Sequence, residues 1–241
     1  MGSDAVSGGG ARLEIGVLAR APVAGACKTR LIRLLGAAGA ARLQRHLIDH
    51  TLATACAAAP GAVTLFTTGD APDAPWSAWQ QRFGVRLVPQ VGADLGERMR
   101  RALTGLLGRS EQALLIGTDC PLLDVHQLQA AARRLAWARM VFVPAEDGGY
   151  VLVGARQLNT DAFGDIAWST ARVMQQTRDA LRASGWRSGH DWAEQPALWD
   201  IDRPADLQRA MRAGLIRADL IDPAGRGPWR PEASSPEPCD V

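Results

Sequence analysis

The chain has 241 residues, of which 47% are hydrophobic and 22% charged, with 27 basic and 25 acidic side chains and a net charge of +2 at pH 7. This length can bury a sizeable core, and no apolar run approaches the roughly 18 residues that a membrane span needs. The small, evenly spread charge argues against a nucleic-acid surface, although a local arginine cluster can still bind phosphate.

Residues 1–11 are small, polar and Gly-rich, and residues 222–241 are rich in Pro, Gly and Ser. Both ends are expected to be disordered, which leaves 12–221 as one domain. The opening MGSDAVSGGG lacks the basic-then-apolar order of a secretory signal. Cys27, Cys56, Cys120 and Cys239 show no paired spacing, so free thiols in a reducing compartment are expected, and with them a cytoplasmic location. The oligomeric state, monomer or homodimer, is left open.

Apolar runs of β type fall at 12–19, 62–67, 85–89, 113–117, 140–144 and 150–154, each short and bounded by Gly, Pro or Asp. Helical stripes lie between them. Leu43, Leu47, Ile48, Leu52, Ala55 and Cys56 form one; Leu95, Met99, Ala102, Leu103, Leu106 and Leu107 form another. Asp94 with Glu97, and Asp124 with Gln127, stand at capping-box spacing before their stripes. Strands alternating with helices of this length predict a mostly parallel sheet covered on both faces. In such a sheet ligands bind beyond the carboxyl ends of the strands.

That rule selects five loops. After the first strand comes LARAPVAGACKTRL, in which Lys28 is the only lysine of the protein. Gly25 lets the backbone approach a ligand, and Arg20, Lys28 and Arg30 supply charge suited to a diphosphate or triphosphate; a solvated basic turn is the plain alternative. The loop is not a Walker motif, since Cys27 stands where glycine would precede the lysine. GGGARL is not a dinucleotide fingerprint, because its glycines precede the strand. In IGTDCPLL, Asp119 ends an apolar strand and could hold Mg²⁺ or Mn²⁺, or serve only as a turn aspartate before Pro121. In PAEDGGYVLVGA, Asp147 or Glu146 could act as a base, and Gly148, Gly149 and Tyr150 could pass close to a ligand, unless this is a hairpin turn.

The fourth loop is IAWSTARVMQQT, where Ser169 or Thr170 is expected to start a helix whose free amides, with Trp168 alongside, could bind a phosphate, sugar or carboxylate; simple N-capping is the competing reading. The fifth is WDIDRPADL, where Asp200 or Asp202 could supply a second metal oxygen before a helix whose inward side is Leu207, Ala210, Met211 and Leu215. His46 and His50 lie one turn apart but lack the glutamate and third ligand of a zinc site. No G-x-S-x-G elbow exists and no cysteine has a basic partner except Cys27 beside Lys28, which argues against nucleophilic catalysis.

Taken together and in order, LARAPVAGACKTRLIRLLG, DLGERM, IGTDCPLL, PAEDGGYVLVG, WST and DIDRPADL resemble the bacterial radical-SAM/selenodomain-associated, arsenosugar-biosynthesis-type glycosyltransferases of the nucleotide-diphospho-sugar transferase (GT-A) superfamily. The resemblance runs from about Leu13 to Leu215. It implies a three-layer α/β/α Rossmann-like GT-A fold with a mostly parallel mixed sheet, a nucleotide held by the first loop with Lys28 and Arg30 at phosphate-binding positions, a divalent metal, Mg²⁺ or Mn²⁺, at Asp119, and a sugar or acceptor near Gly148, Gly149 and Tyr150. Together with the loop reading, the candidate residues are Arg20, Gly25, Lys28, Thr29 and Arg30 for the nucleotide, Asp119 with Asp202 for the metal, and Glu97, Asp147, Gly148, Gly149, Tyr150, Trp168, Ser169 and Thr170 for the sugar or acceptor. Asp119, Lys28 and Asp147 would be the catalytic groups. The implied partners are a nucleotide sugar or nucleoside triphosphate (NTP) donor and a small-molecule acceptor.

Two departures stand out. Thr118-Asp119-Cys120 has one carboxylate where the sugar transferases usually carry Asp-x-Asp, and is similar instead to the phospholactate and molybdenum-cofactor guanylyltransferases. Arg203 and Ala205 replace the usual Thr and Glu of the last block, which removes its capping box. Three readings follow: glycosyl transfer, nucleotidyl transfer to a phosphorylated acceptor with pyrophosphate release, and a silent nucleotide-binding module.

Overall fold

A computed structural model describes residues 11–68, 71 and 74–221. The expected disorder of residues 1–10 and 222–241, and Cys239, lie outside these described residues. Seven strands make one sheet: β1 (Leu13–Ala19), β2 (Val63–Thr67), β3 (Arg86–Pro89), β4 (Gln112–Ile116), β5 (Met140–Pro144), β6 (Tyr150–Ala155) and β7 (Trp192–Glu194). Their order is β3-β2-β1-β4-β6-β5-β7, and every strand runs the same way except β6. Six of the seven match the apolar runs of the sequence. The seventh, only three residues long, is too short to show a period.

The strands inside the sheet are buried on both faces because helices cover both, while the edge strand β3 is only partly buried. The helices are α1 (Ile32–Ala58), α2 (Trp76–Phe83), α3 (Leu95–Leu107), α4 (Val125–Arg134), α5 (Val173–Ala183), α6 (Pro204–Arg212) and α7 (Ala218–Ile221). Ile15, Val17, Leu114 and Ile116 face Ile48, Leu52 and Ala55 of α1, Trp79 of α2 and Leu128 and Ala131 of α4. The alternate residues Ala113 and Leu115, with Phe142 and Val153, face Met99, Leu103 and Leu106 of α3 and Met174 and Leu181 of α5. This is the three-layer α/β/α arrangement. A third cluster joins Leu43 and Leu47 of α1 to Trp199, Ile201 and Leu207, and so packs the last loop and α6 against the first helix.

Local signals explain most boundaries. Asp124 and Gln127 close a full capping box on α4, at 2.8 Å and 3.3 Å. On α3 the box is displaced by one residue: Asp94 accepts from Glu97 N, but Glu97 Oε2 accepts from Ala93 N at 2.9 Å. Leu95, expected inward, is 42% exposed because it is the first residue of its helix, before the stripe turns onto the sheet. Within α1, Gly36 adopts φ 68° and breaks the helix, so that the expected stripe begins beyond the break.

Two expectations fail locally. Neither Ser169 nor Thr170 starts a helix: α5 begins at Val173, Ser169 has φ 64°, and the Thr170 hydroxyl donates to Ala167 O at 2.7 Å. The lost capping box before α6 is half preserved, since Asp206 accepts from Asp202 N at 3.2 Å and Arg203 N at 2.7 Å.

Leu103 is fully buried between α3 and the sheet. Leu103→Ala should cost about 2–5 kcal/mol in a guanidinium titration, whereas Leu107→Ala, on the partly buried flank, should cost less than half as much.

Candidate active site

Reading outward from the centre of the sheet, the strand order reverses between β1 and β4, which is where a doubly wound sheet opens a crevice at its carboxyl edge. The loop after β1 and the loop after β4 therefore face each other. The first carries Lys28, in the left-handed conformation at φ 46°, ahead of a short 3₁₀ turn over Thr29–Leu31. Its neighbours Val23, Ala24 and Ala26 are exposed, and Gly25 holds φ 86°, a conformation that side chains resist. The Lys28 side chain turns inward and is 4% exposed. Its Nζ lies 2.8 Å from Asp119 Oδ1 and donates to Ile201 O at 2.6 Å.

Asp119 is thus met from three loops. Thr118 Oγ1 donates to the same Oδ1 at 3.2 Å, and Ile201 N donates to Asp119 O at 2.8 Å. Behind them stands Gln44 of α1, which is buried and donates to both Arg20 O at 3.3 Å and Thr118 Oγ1 at 3.2 Å. Because a hydroxyl has one hydrogen, occupying the Thr118 oxygen from behind directs that hydrogen onto Asp119. Six residues further along α1, His50 Nε2 donates to Pro121 O at 3.1 Å, so this helix supports the Asp119 loop at two points. Gln44 was not legible as a site residue, because a lone polar residue beside an apolar helical stripe carries no signal, and His50, set aside as half of a metal pair with His46, instead braces a loop.

Asp200 completes the electrostatics. Burial pushes its carboxyl up to about 6, and the charges of Asp147 and Asp119 push the same way, while Lys28 opposes them. Asp200 therefore feels two neighbouring carboxylates, while the one ammonium of the crevice, Lys28, is paired with Asp119. Among the described residues no three His, Cys, Asp or Glu side chains close into a cage that could hold a metal ion alone. Asp119 and Asp200 could hold Mg²⁺ or Mn²⁺ only together with substrate phosphates and water. Asp202 stands differently: its carboxylate is held by Arg30 at the rim. Arg20 and Thr29 are exposed beside it.

On the far side, Asp147 Oδ1 accepts from Gly149 N at 3.0 Å, which fixes the carboxylate within its turn. Glu146 is held by Arg209 at 2.8 Å, an ion pair that lowers its pKa and takes it away from base chemistry. Gly148, at φ 92°, lies so close to the Ala171 backbone that any Cβ would collide with it, and Met174 N donates to Gly148 O at 2.8 Å. The 164–172 segment is thereby held beside the crevice, with Ser169 and Thr170 exposed on it. Tyr150 turns its hydroxyl into the core, where it is buried beside Thr177 without a well-formed hydrogen bond, and its ring meets Phe142 and Trp168 edge-on. Trp168 closes over Gly96 as well. Tyr150 and Trp168 thus pack the wall of the crevice, and Glu97 fastens the 93–97 turn while pairing with Arg101 at 2.8 Å. The thiols of Cys27 and Cys120 are both raised by burial, the latter to about 12.

Comparison with known proteins agrees with this architecture. A family model described as "Uncharacterized protein conserved in bacteria (DUF2064)" matches residues 51–170. No curated protein sequence matches the chain. Among solved structures, a candidate nucleotide-diphospho-sugar transferase from Desulfovibrio desulfuricans G20 is 26% identical, with a TM-score of 0.73 over 87% of this chain and 96% of that one. The 4-diphosphocytidyl-2C-methyl-D-erythritol synthase of Anaerococcus prevotii DSM 20548 is 12% identical, with a TM-score of 0.57 over 84% and 96%. A cytidylyltransferase from Leptospira borgpetersenii serovar Hardjo-bovis (strain JB197) is 13% identical, with a TM-score of 0.54 over 87% and 92%. The chain has the GT-A-like fold that these proteins share.

Because the folded pKa of Asp200 is raised from 3.8 to about 6, the folded state holds that proton more tightly than the unfolded chain. Stability should therefore fall as pH rises through this interval. Asp200→Asn should melt above wild type at about pH 8, with the two converging near pH 4; a gap that does not change with pH would remove the electrostatic account.

Proposed function

We propose that the chain is a metal-dependent transferase acting on a nucleotide-activated donor, and that it transfers a glycosyl group from a nucleotide-diphospho-sugar to a small-molecule acceptor. The observation that carries this reading is the meeting of Lys28, Asp119 and Asp200 at the strand-order reversal between β1 and β4. The sequence resemblance to the arsenosugar-type glycosyltransferases supports it, as does the 26% likeness to a candidate nucleotide-diphospho-sugar transferase.

In this reading Lys28 binds the diphosphate of the donor, with Arg20 and the exposed backbone around Gly25 and Thr29 closing on it from the rim. Asp119 and Asp200, in place of Asp202, would hold Mg²⁺ or Mn²⁺. When bound, the cation supplies positive charge that stabilises the departing nucleoside diphosphate. Asp147, held by the Gly149 amide, takes the proton of the acceptor hydroxyl, since Glu146 is committed to Arg209. Ser169 and Thr170, exposed on the 164–172 segment, contact the sugar or acceptor.

One observation favours a second reading. Thr118-Asp119-Cys120 offers a single carboxylate at the strand end, which matches nucleotidyl transfer, in which a phosphorylated acceptor attacks the α-phosphate of an NTP and pyrophosphate leaves. The same loop and cation would serve, without an acceptor-facing base.

A thermal-shift panel of nucleoside triphosphates, diphosphates and nucleotide sugars, each with Mg²⁺, Mn²⁺ or EDTA, separates these readings, because a ligand of the folded state raises the melting temperature by mass action. Glycosyl transfer predicts metal-dependent stabilisation by one nucleotide sugar; stabilisation by one NTP with sugars inert selects nucleotidyl transfer, and a flat panel removes both. Asp119→Asn should abolish turnover and the metal dependence of the shift while keeping the fold, with a ligand-free melt below that of wild type because the enclosed Lys28 ammonium loses its carboxylate.

A further inference from the structure

Lys28 and Asp119 are assigned above to different partners, the ammonium to phosphate and the carboxylate to a divalent cation, yet they hold each other at 2.8 Å. Their exposures differ: the Lys28 side chain is 4% exposed and that of Asp119 46%. The ammonium is enclosed between Asp119 and the Ile201 carbonyl, while the carboxylate still reaches solvent. A hard dication held by Asp119 would share that carboxylate with the Lys28 ammonium at close separation. Two positive groups at that separation, on a crevice floor partly shielded from water, repel each other. A phosphate coming to Lys28 without a cation would meet the opposite difficulty, the negative charges of Asp119, Asp147 and Asp200.

Resting on the transferase reading, we infer that Lys28 is the resident counter-ion of Asp119 in the ligand-free protein, and that it exchanges this place for the phosphates of the donor when a divalent cation arrives. Each charge then stays partnered in both states. Without ligand the ammonium neutralises Asp119; with ligand the cation neutralises the carboxylates and the ammonium neutralises phosphate. The means of exchange lie in the loop. Lysine is a compact charge on a flexible stem, and its loop lies outside both strands, with residues 23–26 exposed ahead of it, so its head can move without disturbing β1 or β4. No bond is made or broken. The consequence is cooperative binding: cation alone and phosphate alone bind weakly, and each strengthens the other.

The test titrates Mn²⁺ alone into the full chain, following the paramagnetic resonance signal of the free ion, for wild type, Lys28→Gln and Lys28→Arg. Glutamine can still donate to the Ile201 carbonyl, and arginine keeps the charge. Lys28→Gln should bind Mn²⁺ at least about tenfold more tightly than wild type, with Lys28→Arg remaining near wild type. Equal affinity in wild type and Lys28→Gln, or no Mn²⁺ binding by either, overturns the exchange. A second measurement needs only wild type: inorganic pyrophosphate should tighten Mn²⁺ binding beyond what the two achieve in free solution, and independent binding overturns the exchange whether or not the variants fold. The transferase reading fails separately, on a flat nucleotide panel.

Discussion

The pairing of Lys28 with Asp119 spans the seam where the sheet changes direction, and much of the crevice is arranged around it. The two side chains come from the loops that follow adjacent strands, β1 and β4, and the pair is closed from a third direction by Ile201, whose carbonyl accepts from Lys28 and whose amide donates to the Asp119 carbonyl. An ion pair in such a position is not a device for stability, because taking charges from water offsets most of the attraction between them. Its value is registration. Three loops with no secondary structure in common are brought to one point and held there by directional contacts.

Those loops stand on a rigid support. Gln44 and His50 project from a helix packed on the central strands, and between them they hold the backbone or side chains of Arg20, Thr118 and Pro121. Trp199 and Ile201 are buried against the same helix, next to Leu43 and Leu47. The first helix therefore aligns the first, second and last loops of the crevice, while the opposite wall is fixed by the close approach of Gly148 to Ala171. Charge is treated differently in the two regions. On the floor, Lys28 is paired with Asp119 and the buried Asp200 beside them gains a raised pKa; at the rim, Glu146 and Asp202 each have an arginine of their own.

The strands were legible because doubly buried strands are largely apolar runs between breakers, as β1, β2, β4, β5 and β6 are; β3, at the edge and only partly buried, was legible from its apolar residues and its proline. Helix starts were legible where a side chain makes the cap, as at Asp94 and Asp124. They were not legible at Val173, where the preceding Ser169 is used for a left-handed turn and the cap residue, Arg172, has no side-chain bond. Pattern could place Asp119 and Lys28 on facing loops, but it could not show that they touch. The choice between Asp200 and Asp202 lay beyond pattern too. The two flank the buried Ile201, and only the packing of that residue decides which carboxylate turns toward Asp147 and Asp119 and which toward Arg30. Tyr150 misled for a related reason: a lone tyrosine after two glycines reads as a ligand contact, whereas its hydroxyl is directed into the core.

The protein has one lysine, and it lies at the floor of this crevice. Every other basic side chain is arginine or histidine, so the amine chemistry of the side chains is confined to a single enclosed position. Acylating and carbamylating agents, which neutralise lysines across the surfaces of most proteins, meet here only one side-chain amine, shielded by its carboxylate partner. The outer surface keeps its charge under such reagents, and any uptake of label at a side-chain amine reports the opening of one contact, Lys28 leaving Asp119.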